Sequence, residues 1–308
     1  MQQWVALESH RTGCYKRRSL TTAPERGTVP RTAAFYDLDG TLLHGSVVDH
    51  YLYFAKTDPL LPERVRRLAL TVLKAPYLRY VDSLDRRRFN EEFYRSYRGL
   101  SEDRLAILGE ALFEKVLKRK IYTGMQELLE NDRKAGHTQV LLTGALDFVA
   151  QPVARHLGIG KVVASVLEYG PNGLATGVLR PPIMAGPEKA AWMREWAKEN
   201  DIDLSWSVAY ADDAADLPML SMVGRPVAVN PDARLLATAR SHGWPVLHIE
   251  ATRSLTRKAA REALERGKEG ARWLRDQGQR SAPRAMEGTL GVLNGLTSGL
   301  SALLRGED

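Results

Sequence analysis

The chain has 308 residues, 44% apolar and 26% charged, with a net charge of +7, which is room for one large or two modest domains with a proper core. A single cysteine, Cys14, excludes an internal disulfide framework and any multi-cysteine zinc site. No run of about 18 or more apolar residues is present to cross a bilayer as a helix, and the start lacks the charged-then-apolar pattern of a signal peptide.

In chain order, residues 1–31 are rich in Arg, Ser, Thr and Pro with little periodicity, and read as a disordered extension. Either a transit-type segment or an overlong start would account for them, though Glu8 and Glu25 count against the first. "TAAFYDLD" (32–39) is a short apolar run stopped by Gly40, the pattern of a buried strand. From Ser46 to about Arg133 the pattern is helical. "PERVRRLALTVLKAPYLRY" places Val65, Leu68, Ala69, Val72 and Leu73 on one face, the expected core stripe, with Arg64, Arg67, Thr71 and Lys74 opposite. Pro76 is expected to break or kink that helix. Ser101 is a natural N-cap for the helix that follows.

"TQVLLTG" (138–144) reads as a second strand, followed by a helix, then a hairpin over 162–180 with its turn at "GPNG". Pro187 opens another helix. "SWSVAYADD" (205–213), "PVAVN" (226–230) and "PVLHI" (245–249) are three more strands. Short apolar strands alternating with helices predict an α/β fold, a Rossmann-like doubly wound and mainly parallel sheet. The core is expected over 32–45 and 134–250, interrupted by a helical cap over 46–133, with a basic and then Gly/Leu-rich tail over 251–308.

Ligands of open α/β sheets bind beyond the carboxyl ends of the strands. Three strands here end in chemistry: Asp37 and Asp39, then Thr143, then Asp212 and Asp213. Asp37, Asp39, Asp212 and Asp216 meeting at one edge would repel one another and need a counter-ion. An oxygen-only set suits Mg²⁺ carrying a substrate phosphate. Lys189 would add a second positive charge, while Thr143 and the amides of Gly144 and Ala145 would donate to phosphate oxygens, the equipment of phosphoryl transfer.

The arrangement resembles the haloacid dehalogenase superfamily, in the subfamily IB branch around phosphoserine phosphatase. "DLDGT" (37–41), "LLTG" (141–144), Lys189 and "YADDAADLPML" (210–220) carry the resemblance, which spans roughly 32–250. It implies a Mg²⁺-dependent phosphatase. Asp37 would be the nucleophile and Asp39 the general acid and base. Thr143, Gly144 and Lys189 would hold the phosphate, with Asp37, Asp39 (through its carbonyl), Asp212 and Asp216 around the metal.

The chain departs from that pattern at Ala211 and Ala215. It departs again at Ser46, where phosphoserine phosphatases carry a Glu that reads the substrate ammonium. The expected substrate is therefore a small or lipid-linked phosphate. Phosphoserine phosphatase proper and a catalytically weak binding or scaffold protein are the alternatives.

The positive excess lies largely in the first 31 residues and in 252–280, solvated segments in their plainest reading. No interleaved aromatic motif accompanies them, so specific nucleic-acid binding is not expected. The uncharged "GTLGVLNGLTSGLSALL" (288–304) repeats Leu at helical spacing and glycine every fourth residue. It reads as an interfacial anchor or a self-association helix that would make a homodimer, against a tail that is disordered or docked on the core. The expected location is the cytoplasm, with the tail as a peripheral membrane contact.

Overall fold

A computed structural model describes residues 30–57 and 60–249. The extension before residue 30, Cys14 and the tail from residue 250 lie outside the described residues. Strand β1 (Ala33–Tyr36) is followed by five helices: α1 (Val47–Lys56), α2 (Leu61–Leu84), α3 (Arg86–Tyr94), α4 (Glu102–Lys115) and α5 (Met125–Lys134). Then come β2 (Thr138–Leu146), α6 (Asp147–Leu157), β3 (Lys161–Tyr169), β4 (Ala175–Arg180) and α7 (Pro187–Glu199). The chain continues through β5 (Val208–Ala211), α8 (Leu217–Leu220), β6 (Arg225–Val229), α9 (Ala233–His242) and β7 (Val246–Leu247).

The sheet order is β4-β3-β2-β1-β5-β6-β7, parallel except for the β3–β4 hairpin at one edge. β1 is fully buried because each of its faces meets a different core. Ala34 and Tyr36 join the cluster that includes α6, while Ala33 and Phe35 join the one built with α7 and α9. A strand covered on both sides reads as a continuous apolar run, which "AAFY" is. β1 lies between β2 and β5, so the chain switches direction across the sheet there, and the residues after these strands share one crevice.

A buried polar junction ties the sheet to α5. Asp132 accepts from the Tyr36 hydroxyl at 2.6 Å and the Tyr210 hydroxyl at 3.1 Å, and the two tyrosine rings stack at 5.2 Å across the β1–β5 pair.

In α2 one expectation fails, and of the break or kink expected at Pro76 the break does not occur. Pro76 does not end it: the helix runs from Leu61 to Leu84. Pro76 is exposed, and Val72, whose carbonyl loses its helical donor, is 48% exposed, so no orphaned carbonyl is forced into a core. The expected core stripe also faces the wrong way, with Val65, Val72 and Leu73 exposed and only Leu68 packed against the core. The buried residues are Arg67, Leu78 and Val81. The inward side of α2 meets the cavity through Thr71, Ala75, Leu78 and Asp82, so polar and apolar residues turn in together. Among the described residues, no helix is long and apolar enough to cross a membrane.

Replacing Asp132 with Ala strands two buried phenols. Urea unfolding is expected to show a loss of about 2–4 kcal/mol. A cost near zero would mean that the junction contributes little to the β1–β5–α5 packing.

Candidate active site

Asp37 directly follows β1, and its amide donates to the Tyr210 carbonyl of β5 at 3.0 Å, which continues the strand pairing for one more residue. The chain then turns. Gly40 adopts φ +83° and its amide donates to the Leu43 carbonyl at 2.7 Å. A side chain here would be strained by that φ, and its Cβ would lie 1.8 Å from Asp212 Oδ2. Glycine thus lets the loops after β1 and β5 approach. The Thr41 hydroxyl closes the gap by donating to Asp212 Oδ1 at 3.1 Å.

Lys189 enters from the first turn of α7, which begins at Pro187. Its ammonium lies 2.7 Å from Asp37 Oδ1, 2.8 Å from Asp216 Oδ1 and 3.0 Å from Asp216 Oδ2. All three residues are buried. Burial alone would pull the lysine pKa down, but Asp216 and Asp37 outweigh it and hold the ammonium charged. Burial pushes Asp37 up, against the opposing pull of Lys189. Asp216 is raised by burial against the same partner, and Asp212 by burial together with the charges of Asp37 and Asp216.

Asp39 is pushed up to about 7 by burial and then by Asp49, with Arg86, Lys120 and Lys189 resisting. Its Oδ1 is buried without a hydrogen-bond partner. His50 Nε2 approaches that oxygen to 3.3 Å without the alignment of a hydrogen bond. Burial depresses His50 to about 4, so its imidazole is neutral near pH 7.

Thr143 is buried and lines the same cavity as Gly144, Ala145 and Lys189. Its hydroxyl accepts from the Ala145 amide at 3.0 Å, so that amide, expected to face a phosphate, already has an internal partner. α3 presses on the strand end from above: the Tyr94 hydroxyl donates to the Gly144 carbonyl at 2.9 Å, and a Cβ on Gly144 would meet Asn90 Nδ2 at 3.0 Å. Arg86, at the start of α3, pairs with Asp213 after β5 and with Asp82 of α2 at 3.1 Å, linking helices and sheet across the cavity mouth.

All the sequence-derived residues, Asp37, Asp39, Thr143, Gly144, Lys189, Asp212 and Asp216, line this one cavity of about 340 Å³. His50, Arg86 and Asn90 were not anticipated. Arg86 stands in an Arg-rich run with nothing local to single it out, and His50 is a lone histidine on a helix.

Among the described residues, no three of His, Cys, Asp and Glu form a ready-made metal cage. The donor set nonetheless suits a hard cation. The cavity is lined by six carboxylates against three cationic side chains, Asp37 and Asp212 among the carboxylates. Mg²⁺ takes few protein ligands and keeps its waters, so it does not need a cage.

A model of the haloacid dehalogenase-like hydrolase family matches residues 34–221. The chain belongs to that family. It is 32% identical over 245 residues to a phosphoserine phosphatase, SerB1, of Mycobacterium tuberculosis, covering 77% of each. It is 26% identical over 243 residues to a histidinol-phosphatase of Neisseria meningitidis, covering 71% of this chain and all of the relative. A crystal structure of a protein of unknown function from Bordetella pertussis superposes with a TM-score of 0.61 at 25% identity, over 71% of this chain and 99% of that one.

Lys189→Met leaves Asp37 and Asp216 facing each other in a buried site. Urea unfolding in chelator is expected to show a loss of about 3–5 kcal/mol, partly recovered in Lys189→Met/Asp216→Asn. Equal stability of the two variants would show that carboxylate repulsion is not what the lysine relieves.

Proposed function

We propose that this hydrolase is a Mg²⁺-dependent phosphomonoesterase that works through an aspartyl-phosphate on a small or lipid-linked phosphate ester. The observation that carries the reading is the placement of Asp37, held by Lys189 at 2.7 Å, beside Asp39 with its buried, unpartnered oxygen in one cavity. A carboxylate oxygen of Asp37 attacks phosphorus in line with the ester oxygen. The new Asp–phosphorus bond forms as the ester bond breaks, and Asp39 gives its proton to the departing alkoxide. Asp39 then takes a proton from water as that water attacks phosphorus, releasing inorganic phosphate and restoring Asp37. Lys189 screens the attacking carboxylate and holds a phosphate oxygen, and the Thr143 hydroxyl and Gly144 amide orient the others. Asp37, Asp212 and the carbonyl of Asp39 would hold the metal, which supplies charge neutralisation to the phosphoryl group.

The rest of the cavity bears on the substrate. Its wall away from the carboxylates is built from Val47, Val48, Leu78, Phe89 and Phe93, with Arg79 at the rim. Ser46 lines the cavity and carries no charge to pair with a substrate ammonium. The two phosphatase relatives are named for different phosphate esters, so the shared fold leaves the leaving group open. An ester with an apolar portion suits this wall better than a free amino acid, because an unpaired ammonium buried there is costly.

Phosphate release from phosphoserine, histidinol phosphate and phosphatidate vesicles, with Mg²⁺ and with chelator, tests the reading. Metal-dependent release from at least one ester is expected, and Asp37→Asn should lower it by at least about a thousandfold. Turnover by Asp37→Asn at the normal rate would end the aspartyl-phosphate mechanism. Silence of the folded protein toward every ester would end the phosphatase assignment.

A further inference from the structure

The outward face of α2 carries large apolar side chains from its first turn to its last, with Arg66 and Arg79 in the same sector. Leu61, Val65, Leu73, Tyr77, Tyr80 and Leu84 are each more than half exposed. At about 100° per residue they fall within a sector of roughly 160°. Thr71, Ala75, Leu78 and Asp82, on the opposite side, face the catalytic cavity. Exposed apolar surface of this extent on a water-facing helix marks a contact surface.

Beside this stripe lies a second cavity of about 250 Å³, between α2 and the end of α3. Arg66, Arg67, Lys74, Arg95 and Arg98 line it, over a floor that includes Tyr51 and Phe93. Among the described residues, Glu63 and Glu92 contact three of these cations. Glu63 contacts Arg66 at 2.8 Å and Arg67 at 3.3 Å, and Glu92 contacts Arg95 at 2.6 Å. Leu70 and Lys74 belong to α2 itself, so the basic cleft and the apolar stripe share an edge.

We infer that the outer face of α2 and the adjoining cleft form a docking surface for a membrane of anionic phospholipid. The stripe enters the acyl boundary, its two tyrosines stand at headgroup level, and the cleft receives lipid phosphates. Charge decides between this occupant and the others. A second copy would bring one five-cation cleft against another. The 288–304 segment of this chain carries no charge and would leave the cleft unanswered. An anionic bilayer supplies both the apolar depth and the negative surface. The inference stands apart from the identity of the hydrolysed ester, because none of the six stripe residues lines the catalytic cavity.

Sedimentation of the full chain with phosphatidylcholine vesicles, with and without phosphatidylglycerol, provides the test. Binding is expected only to the vesicles containing phosphatidylglycerol, and it should weaken as salt rises. Leu73→Glu/Tyr80→Glu should lower partitioning at least about tenfold. Lys74→Glu/Arg98→Glu should do the same and remove the preference for phosphatidylglycerol, each charge being worth about fivefold. These residues are on the surface, so thermal unfolding should be unchanged and serves as the folding control. Wild-type protein that ignores anionic vesicles would overturn the inference. Equal binding by wild type and both variants would overturn it too, by placing the contact in another part of the chain. So would a dimer in sedimentation velocity that the stripe variant splits while no form binds vesicles.

Discussion

One ammonium group holds the catalytic edge of this protein together. Asp37 and Asp216 are taken out of water and turned toward each other, an arrangement that repels and that burial makes worse. Lys189 contacts both carboxylates, so the charge each would present to the other is spent on the cation between them. Its position at the start of α7 adds the partial positive charge of a helix N-terminus to the same side. Such a cluster is weak evidence for stability, since desolvating three ions offsets much of their attraction. What it provides is fixed geometry: an Asp37 carboxylate tied to the lysine, whose charge opposes the effect of burial.

That geometry in turn depends on β1 being the middle of the sheet. The residues of the site are far apart in sequence, at 37, 143, 189 and 212; Asp37 and Asp212 directly follow β1 and β5, and Thr143 lies within the adjacent parallel strand β2. Register between these strands decides whether the carboxylates face one another. It is maintained by the ladder, by the Asp37 amide on the Tyr210 carbonyl, and by the stacked tyrosines whose hydroxyls share Asp132. Gly40 removes the last obstacle, because a side chain there would occupy the place of the Asp212 carboxylate.

Much of this was legible in the sequence because it is local. An apolar run stopped by a turn residue marks a strand end whatever surrounds it, and the strand ends carried Asp37, Thr143 and Asp212. The helical block after β1, the hairpin at the sheet edge and the Ser101 cap were legible for the same reason; Ser101 accepts from the Arg104 amide at 3.3 Å. What escaped were contacts between segments with no sequence relation. Arg86 matters because α3 sets it over Asp213, and His50 because α1 turns it toward Asp39, and neither fact is encoded by neighbours in the chain. The Ala145 amide was misjudged at a smaller scale, since a hydroxyl two residues earlier satisfies it.

The error over α2 has a more general cause. Periodicity gives the axis of an amphipathic helix but not its direction, and the usual assignment of the apolar side to the interior assumes that the interior is apolar. A helix that closes a cavity lined by carboxylates meets the opposite condition. Its inner side mixes Thr71, Ala75 and Asp82 with the apolar Leu78, and the apolar outer side lacks the burial that normally stabilises it. Leu73, 77% exposed, is the plainest case. Such a face is tolerated in water only at a cost in solubility, which an added charge would have relieved at any of six positions. α2 sets only Arg66 and Arg79 within the sector of the stripe and keeps Arg67 and Lys74 beside it. One rigid element therefore carries two chemistries on opposite sides, a wall for the phosphate ester and a face suited to an anionic surface, and any contact on the outer side bears directly on the element that walls the cavity.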